Sequence, residues 1–172
     1  MRFGPRLILS FVTTLVIFNG APALAQDRSW DLNVSLARID YDLSGTGSAA
    51  ALAVRTTRNL TSNVRVELGA LFAKPEQQFG PSTLFVPEAQ LQYRWNAGRV
   101  SPYVGGGIGA ALVRSGIRND WDPTLSIAAG TAVRLTERLA VTGEFRLRGH
   151  EWNATGTTAE IAAGLAWRLP SF

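Results

Sequence analysis

The sequence predicts an all-β protein, an eight-stranded antiparallel up-and-down barrel that crosses a membrane. Apolar and polar residues alternate with period two through eight segments, which is typical of strands with two different faces. The segments run for about ten to thirteen residues, whereas globular strands average about five or six and a tilted membrane-spanning strand needs about 9–11. Nine of the charged residues of these segments share the polar face. Together these observations favour a transmembrane barrel over a soluble sandwich.

The N-terminus has the pattern of a secretory signal peptide. Arg2 and Arg6 precede an apolar stretch at residues 7–18, and the tripeptide Ala-Leu-Ala at 23–25 resembles a cleavage site. The apolar stretch is shorter than the roughly 20 residues of a spanning helix, although an N-terminal membrane anchor is the alternative interpretation. We therefore predict a signal peptide at residues 1–25, followed by one barrel domain at residues 26–172 that is exported to the outer membrane.

Composition excludes several other classes of protein. The chain has 17 basic and 13 acidic residues, and two of the arginines lie in the signal peptide. The remaining chain therefore has 15 basic and 13 acidic residues, which gives a net charge of +2. The remaining arginines are scattered along the chain rather than clustered, so no nucleic-acid partner is predicted. The absence of cysteine excludes disulfides, thiolate metal sites and a lipoprotein anchor.

The predicted strands follow one another with alternating connection lengths. They span residues 30–39, 49–57, 63–73, 83–95, 102–114, 124–135, 139–149 and 157–169. The gaps after even-numbered strands are short (58–62, 96–101 and 136–138), and those after odd-numbered strands are longer (40–48, 74–82, 115–123 and 150–156). Short periplasmic turns and longer outer loops are typical of outer-membrane barrels.

The charged face predicts which side of each strand points inward. Charge on the lipid face costs roughly 2–4 kcal/mol near the midplane, so the apolar face must contact lipid. Inside the barrel, arginines and glutamates can neutralise one another. A soluble barrel with the opposite polarity is the alternative. The predicted lumen network contains Arg65, Glu67, Glu88, Arg94, Glu144, Arg146, Arg148, Glu160 and Arg168.

Aromatic residues are predicted to form two girdles, because amphipathic rings favour the interfaces of a bilayer. The predicted periplasmic girdle contains Trp30, Tyr93, Trp95 and Trp167. The opposite rim, or the loops beyond it, contains Tyr41, Phe79, Trp121 and Trp152.

Several segments resemble the small outer-membrane β-barrel proteins of the outer-membrane protein A and X type. They are PEAQLQYRW at 87–95, SPYVGGGIGAAL at 101–112, AVRLTERLAVTGEFRLR at 132–148 and AEIAAGLAWRL at 159–169. The last is similar to the signal read by the barrel-assembly machinery, here Gly164, Trp167, Leu169 and the terminal Phe172, although Pro170 departs from that pattern. The resemblance implies the assembly machinery, outer-membrane lipids and lipopolysaccharide as partners, and a monomer is favoured.

No motif in the sequence points to a cofactor or a metal. Gly105, Gly107 and Ala110 fit a loose dinucleotide-binding pattern, but they lie within a predicted strand that no helix follows. The small residues are better explained by a crowded lumen. The loop acids lack the spacing of metal ligands; they are Asp40, Asp42, Asp120 and Asp122.

The one histidine, His150, raises the possibility of catalysis at the outer rim. Some barrels of this size modify lipid A, and Ser115 with Asp120 or Asp122 could complete a triad. The residues after His150 do not match the known motif, so we expect a protein that is not an enzyme. Three functions remain: a filled structural or surface-interacting barrel, a narrow pore for small or hydrophobic solutes, and a lipid A-modifying enzyme. Loop residues that could touch anionic sugars are Lys74, Arg118, Trp121 and Trp152.

Overall fold

A computed structural model describes residues 29–40, 47–74, 76–77, 80–115, 118–150 and 156–170. The predicted signal peptide at residues 1–25 lies outside these ranges. So do Tyr41, Asp42, Phe79, Trp152 and Phe172, which were assigned to the outer girdle, the loops or the assembly signal. The described residues include no helix long and apolar enough to span a membrane.

Eight long strands and one short strand make up the described fold. They are β1 (Trp30–Asp40), β2 (Ser48–Asn59), β3 (Val64–Ala73), β4 (Glu76–Gln77), β5 (Gly80–Arg94), β6 (Val100–Ser115), β7 (Arg118–Arg134), β8 (Leu139–His150) and β9 (Thr157–Arg168). Each pairing is antiparallel, and β1 pairs with β9 while β3 pairs with β5. The sheet of eight long strands therefore closes, and none of these strands is an edge. The predicted eight-stranded antiparallel barrel is confirmed.

The register of the strands fixes the shape of the barrel. A row of paired residues that starts at Trp30 passes through every long strand and returns to β1 at Asp40, ten positions further along. A stagger of ten over eight strands tilts the strands by about 40° to the barrel axis. Each step along such a row from β1 towards β9 therefore climbs by about 3 Å.

The polarity of the wall agrees with the sequence prediction. Leu91, Val133 and Leu165 are exposed on the outer surface at 44%, 37% and 38% of their full areas. Glu88 and Glu144 are buried in the lumen. This arrangement is the reverse of a soluble barrel and requires an apolar solvent around the cylinder.

The two ends of the barrel differ in their connections. The turns after β2, β5 and β7 are short and close with backbone hydrogen bonds such as Leu60 N–H to Val64 O at 2.8 Å. Trp30, Tyr93, Trp95 and Trp167 are exposed at this end, as predicted for the periplasmic girdle.

The outer connections differ from the prediction. The loop expected at residues 115–123 is mostly strand, because β6 and β7 continue their ladder to the pair Ser115 and Arg118. In the connection at 74–82, β4 pairs with the start of β5. Most residues of both connections are charged or polar, so the sequence shows no period-two pattern there. A hairpin that extends beyond the bilayer needs no apolar face.

Candidate functional site: the barrel lumen

The lumen is built from alternate residues of every long strand, and Arg146 of β8 lies at its centre. Its side chain is almost fully buried, at 1% exposure. Arg146 Nη2 donates to Glu67 Oε1 at 2.6 Å, and its Nη1 donates to Glu88 Oε1. Its Nε donates to Glu144 Oε1 at 2.9 Å. One guanidinium thus joins β3, β5 and β8 across the lumen.

Two more arginines extend this network around the wall. Arg148 Nε donates to Glu88 Oε2 at 2.7 Å, and its Nη1 lies 2.7 Å from Glu160 Oε2. Arg55 of β2 donates to Glu160 Oε1 at 2.5 Å. Its guanidinium also lies 3.6 Å from Glu144 and 3.7 Å from Glu67. Every buried carboxylate of the network therefore contacts at least one arginine.

A fourth arginine, Arg65, is held by polar and aromatic neighbours. Its Nε donates to Gln92 Oε1 at 2.5 Å, and its guanidinium carbon lies 4.5 Å from the ring centroid of Tyr103. Tyr103 donates its hydroxyl to Glu144 Oε2 at 2.7 Å, and Gln92 donates to Glu67 Oε2 at 3.0 Å. Cation–π contact and hydrogen bonds replace a direct carboxylate partner here.

The buried network is electrically balanced. It contains four arginines and four glutamates, namely Arg55, Arg65, Arg146, Arg148, Glu67, Glu88, Glu144 and Glu160. Burying charge is tolerated only when opposite charges and hydrogen bonds compensate it. The balance therefore explains how an eight-stranded barrel can hold eight ionised side chains away from water. It also cross-links β2, β3, β5, β8 and β9 through side chains that meet inside the barrel.

Part of the outer lumen wall is apolar and lies beside the outer members of the charged network, since Ile39 pairs in register with Glu160. Ile39, Leu71, Leu84 and Val86 are buried there and pack with small residues of neighbouring strands. The small residues are Ala37, Ala51, Ala53, Ala73, Ala111 and Ala162. This apolar cap was not predicted from the sequence. It lies on the side of β1, β2, β3 and β5, whereas Arg148 and Glu160 occupy the side of β8 and β9.

The periplasmic mouth contains a small cavity of about 70 Å³. Arg94, Arg168 and Asp31 line it, and Arg168 Nε lies 3.4 Å from Asp31 Oδ1. Arg94 and Arg168 were predicted to belong to the lumen network. The structure places them at this half-buried mouth and brings the other seven predicted residues together deeper in the lumen.

Glycines of β6 create the space that the network needs. A Cβ on Gly105 would lie 2.7 Å from Gln92 Cγ, and one on Gly107 would lie 2.7 Å from the carbonyl oxygen of Ala89. Both glycines face the lumen, whereas Gly106 faces outward. The loose dinucleotide pattern of this segment is therefore a consequence of lumen packing within a strand, with no helix at its end.

The remaining predicted site residues lie near the two rims. His150 is half-buried at the outer end of β8, and one of its ring nitrogens lies 2.6 Å from the Thr158 hydroxyl. The side chains of Ser115 and Asp120, and all of Asp42, lie outside the described part of the chain. Within the assembly signal, Trp167 and Leu169 are exposed on the outer surface, and Gly164 faces the lumen close to the backbone of Val34.

Sequence analysis missed Arg55, Gln92 and Tyr103, which contact the network directly. A signal was present for Arg55, because it alternates with the outward-facing Leu52, Val54 and Thr56 of β2. Extending the search from charged to polar and aromatic residues on the inner face would also have found Gln92 and Tyr103.

Known structures show the same fold at low sequence identity. Neisserial surface protein A has a TM-score of 0.65 and 13% identity over 82% of this chain and 96% of its own. The N-terminal β-barrel domain of Pseudomonas aeruginosa OprF has a TM-score of 0.59 and 13% identity over 81% and 97%. The outer membrane enzyme PagL has a TM-score of 0.54 and 14% identity over 81% of this chain and 99% of its own. No curated protein matches the sequence.

A family model decides the membership of the chain. The model for the outer membrane protein beta-barrel domain matches residues 11–168, which is most of the sequence. The closed barrel, its outward-facing apolar band and its periplasmic girdle agree with that match. The chain therefore belongs to the outer membrane protein beta-barrel family and is a protein of the outer membrane.

Proposed function

We propose that this protein is a non-conducting barrel with a structural or surface-interacting role in the outer membrane. The observation that carries the proposal is the filled lumen, in which the balanced arginine–glutamate network lies beside an apolar cap. A barrel of eight strands has an interior that side chains can fill completely. The filled barrel then serves as a rigid support for the outer connections and for the lipid-facing surface.

The competing function is a narrow pore for small or hydrophobic solutes, and conductance distinguishes the two. The barrel, refolded in detergent and verified by heat-modifiable migration on a gel, is inserted into planar bilayers at known protein density. We expect a current at the level of protein-free bilayers, because ion passage would require separation of buried charge pairs. Steady unitary conductance from the folded fraction would overturn the proposal and support the pore.

We further propose that the folded barrel contacts outer-membrane lipids and lipopolysaccharide and that it works as a monomer. The barrel-assembly machinery would be its partner during insertion. The exposed apolar band supports contact with lipid around the wall. Trp167 and Leu169, exposed at the end of β9, are accessible to an assembly factor. The similarity to a neisserial surface protein is consistent with a role of the outer end in contacts with the exterior.

Catalysis is not part of the proposal. His150 contacts a threonine hydroxyl, and Thr158 is itself buried in the wall. Because PagL shares the fold and is an enzyme, the point needs a direct test. Mass spectrometry of lipid A from cells with and without the protein should give identical spectra. A change in acyl composition that disappears with His150→Ala would instead establish an enzyme.

A further inference from the structure

Basic residues occur in one row of paired positions on the lipid-facing surface, near the outer end of the barrel. Arg38 of β1 faces outward and pairs in register with Ala50 of β2. Continuing the β2–β3 register by one residue places Lys74 opposite Ala50 on the other side. Both basic side chains are exposed. The row of Arg38, Ala50 and Lys74 thus runs across β1, β2 and the end of β3. It places a small residue between two cations.

The distances suit a phosphate between the two side chains. Neighbouring strands lie about 4.8 Å apart, so the Cα atoms of Arg38 and Lys74 are separated by about 10 Å. Lys74 lies about 6 Å higher than Arg38 because of the strand tilt. Arg38 compensates by reaching upward, since its Nη2 donates to Ser48 Oγ at 3.1 Å, two residues beyond Ala50. The two cationic groups therefore approach the same level.

The row immediately below is apolar, as an acyl chain requires. Leu36, Leu52 and Phe72 pair in register across the same three strands and are exposed at 74%, 42% and 47%. A cationic level directly above an apolar level matches a lipid that carries phosphate on its headgroup. Charge at this height is tolerated because the cost of a basic residue falls to about 0–1 kcal/mol near the interface.

The position of the site identifies the lipid. The site lies at the end of the barrel opposite the short turns and the periplasmic girdle, so it faces the outer leaflet. The same face carries an acid, Asp40, two residues beyond Arg38 on β1, which favours a phosphate on the side of Ala50 and Lys74, away from that carboxylate. The same row continues through Thr83 of β5 to Arg114 of β6. Arg114 is therefore a third basic residue of the row, and it lies still higher.

We infer that Arg38 and Lys74 form a binding site for the phosphate groups of lipid A, with Ala50 as its floor. The inference rests on the proposed function in that it names where the barrel contacts outer-leaflet lipid. It assigns a specific lipid contact to the wall, separate from the lumen. Arg114 extends the site towards phosphates or acidic sugars further from the bilayer.

Titration of the folded, detergent-solubilised barrel with defined lipids, followed by native mass spectrometry, tests the site. The probes are diphosphoryl lipid A, phosphatidylglycerol and phosphatidylcholine. We expect diphosphoryl lipid A to bind at least tenfold more tightly than either phospholipid. The double variant R38Q/K74Q should lose that preference by at least tenfold, and binding of phosphatidylcholine should stay unchanged.

Two further variants separate the site from general effects. R58Q removes an exposed outward-facing charge from the periplasmic end of the same strand as Ala50, and lipid A binding should remain within twofold of the parent. A50W keeps every charge but fills the floor of the site, and it should weaken lipid A binding like the double variant. Tryptophan is compatible with this interfacial position.

The inference fails if R38Q/K74Q binds diphosphoryl lipid A as the parent does, or if phosphatidylglycerol binds equally well. Heat-modifiable migration verifies that each variant is folded before titration. The bilayer conductance described above is an independent measurement. A conducting barrel with an intact lipid A site would overturn the proposed function alone, and a closed barrel without lipid A preference would overturn this inference alone.

Discussion

Arg146 illustrates, at the scale of a single residue, how the lumen tolerates charge. It contacts Glu67, Glu88 and Glu144 while almost fully buried. Removing one partner from such a cluster lowers the free energy of unfolding by more than the intact cluster contributes to it. The reason is that the remaining charges stay buried without compensation. Arg55 and Arg148 would then be the remaining arginines in contact with the three glutamates.

Replacing Arg146 should therefore destabilise the barrel strongly. We expect Arg146→Gln to lower the free energy of unfolding by about 3–5 kcal/mol, the usual cost of breaking a buried ion pair. Urea unfolding in detergent micelles, followed by tryptophan fluorescence, measures it. Adding Glu88→Gln to the variant should recover part of the loss by restoring charge balance. The exposed Arg58→Gln is the control, with an expected change of about 1 kcal/mol or less because it removes only a cation–π contact with Trp30 at 5.6 Å. A similar loss in both variants would contradict the network.

At the scale of the element, alternation predicted the strands wherever they cross the bilayer. In β5 the outward-facing Phe85, Leu91 and Tyr93 alternate with the buried Glu88, Gln90 and Gln92. Prediction failed at the outer ends of β6 and β7, where both faces of the hairpin are free to be polar. The physical reason is that the period-two signal comes from the contrast between lipid and lumen, and that contrast disappears beyond the membrane.

Strand β6 permits a direct test of the two faces with adjacent glycines. Gly107→Val should prevent or slow folding, because its Cβ would lie 2.7 Å from the Ala89 carbonyl oxygen and 3.0 Å from Ser126 Oγ. Gly106→Val should be tolerated, because a Cβ there meets only the Ser126 carbonyl oxygen at 3.7 Å and valine favours strands. The folded fraction on an unheated detergent gel is the measurement. Equal yields for the two variants would show that lumen crowding does not limit β6.

At the scale of the whole molecule, the barrel is a closed sheet whose inside is more polar than its outside. Closure satisfies every strand edge in a medium without water, and the ten-residue stagger fixes the diameter. The charged network and the apolar cap fill that diameter side by side. The stability of the molecule therefore depends on the surrounding lipid as well as on its own core.

A charge placed on the outer wall should reveal that dependence. Leu68 lies near the middle of β3 on the lipid face and is exposed. We expect Leu68→Arg to destabilise the barrel in lipid vesicles by about 2–4 kcal/mol, the cost of a basic residue near the midplane. Leu60→Arg, in the exposed turn after β2, should cost about 0–1 kcal/mol. Guanidinium unfolding in vesicles compares the two, and equal costs would contradict the assigned membrane position.

The sequence by itself determined the number of strands, the polarity of the wall and the periplasmic girdle. Each of these follows from a local repeat, because neighbouring residues on one strand face lipid and lumen in turn. Seven of the nine predicted lumen charges meet in the central network for the same reason. The signal peptide remains a prediction from the sequence.

Only the tertiary structure decided which charges meet and where the surface carries a cationic site. Arg146 contacts Glu67 and Glu88 from strands that are far apart in sequence, and the row of Arg38, Ala50 and Lys74 exists only in one register of three strands. The apolar cap likewise collects single residues from several strands. Register and stagger result from closure of the whole sheet, so no single segment of sequence contains them.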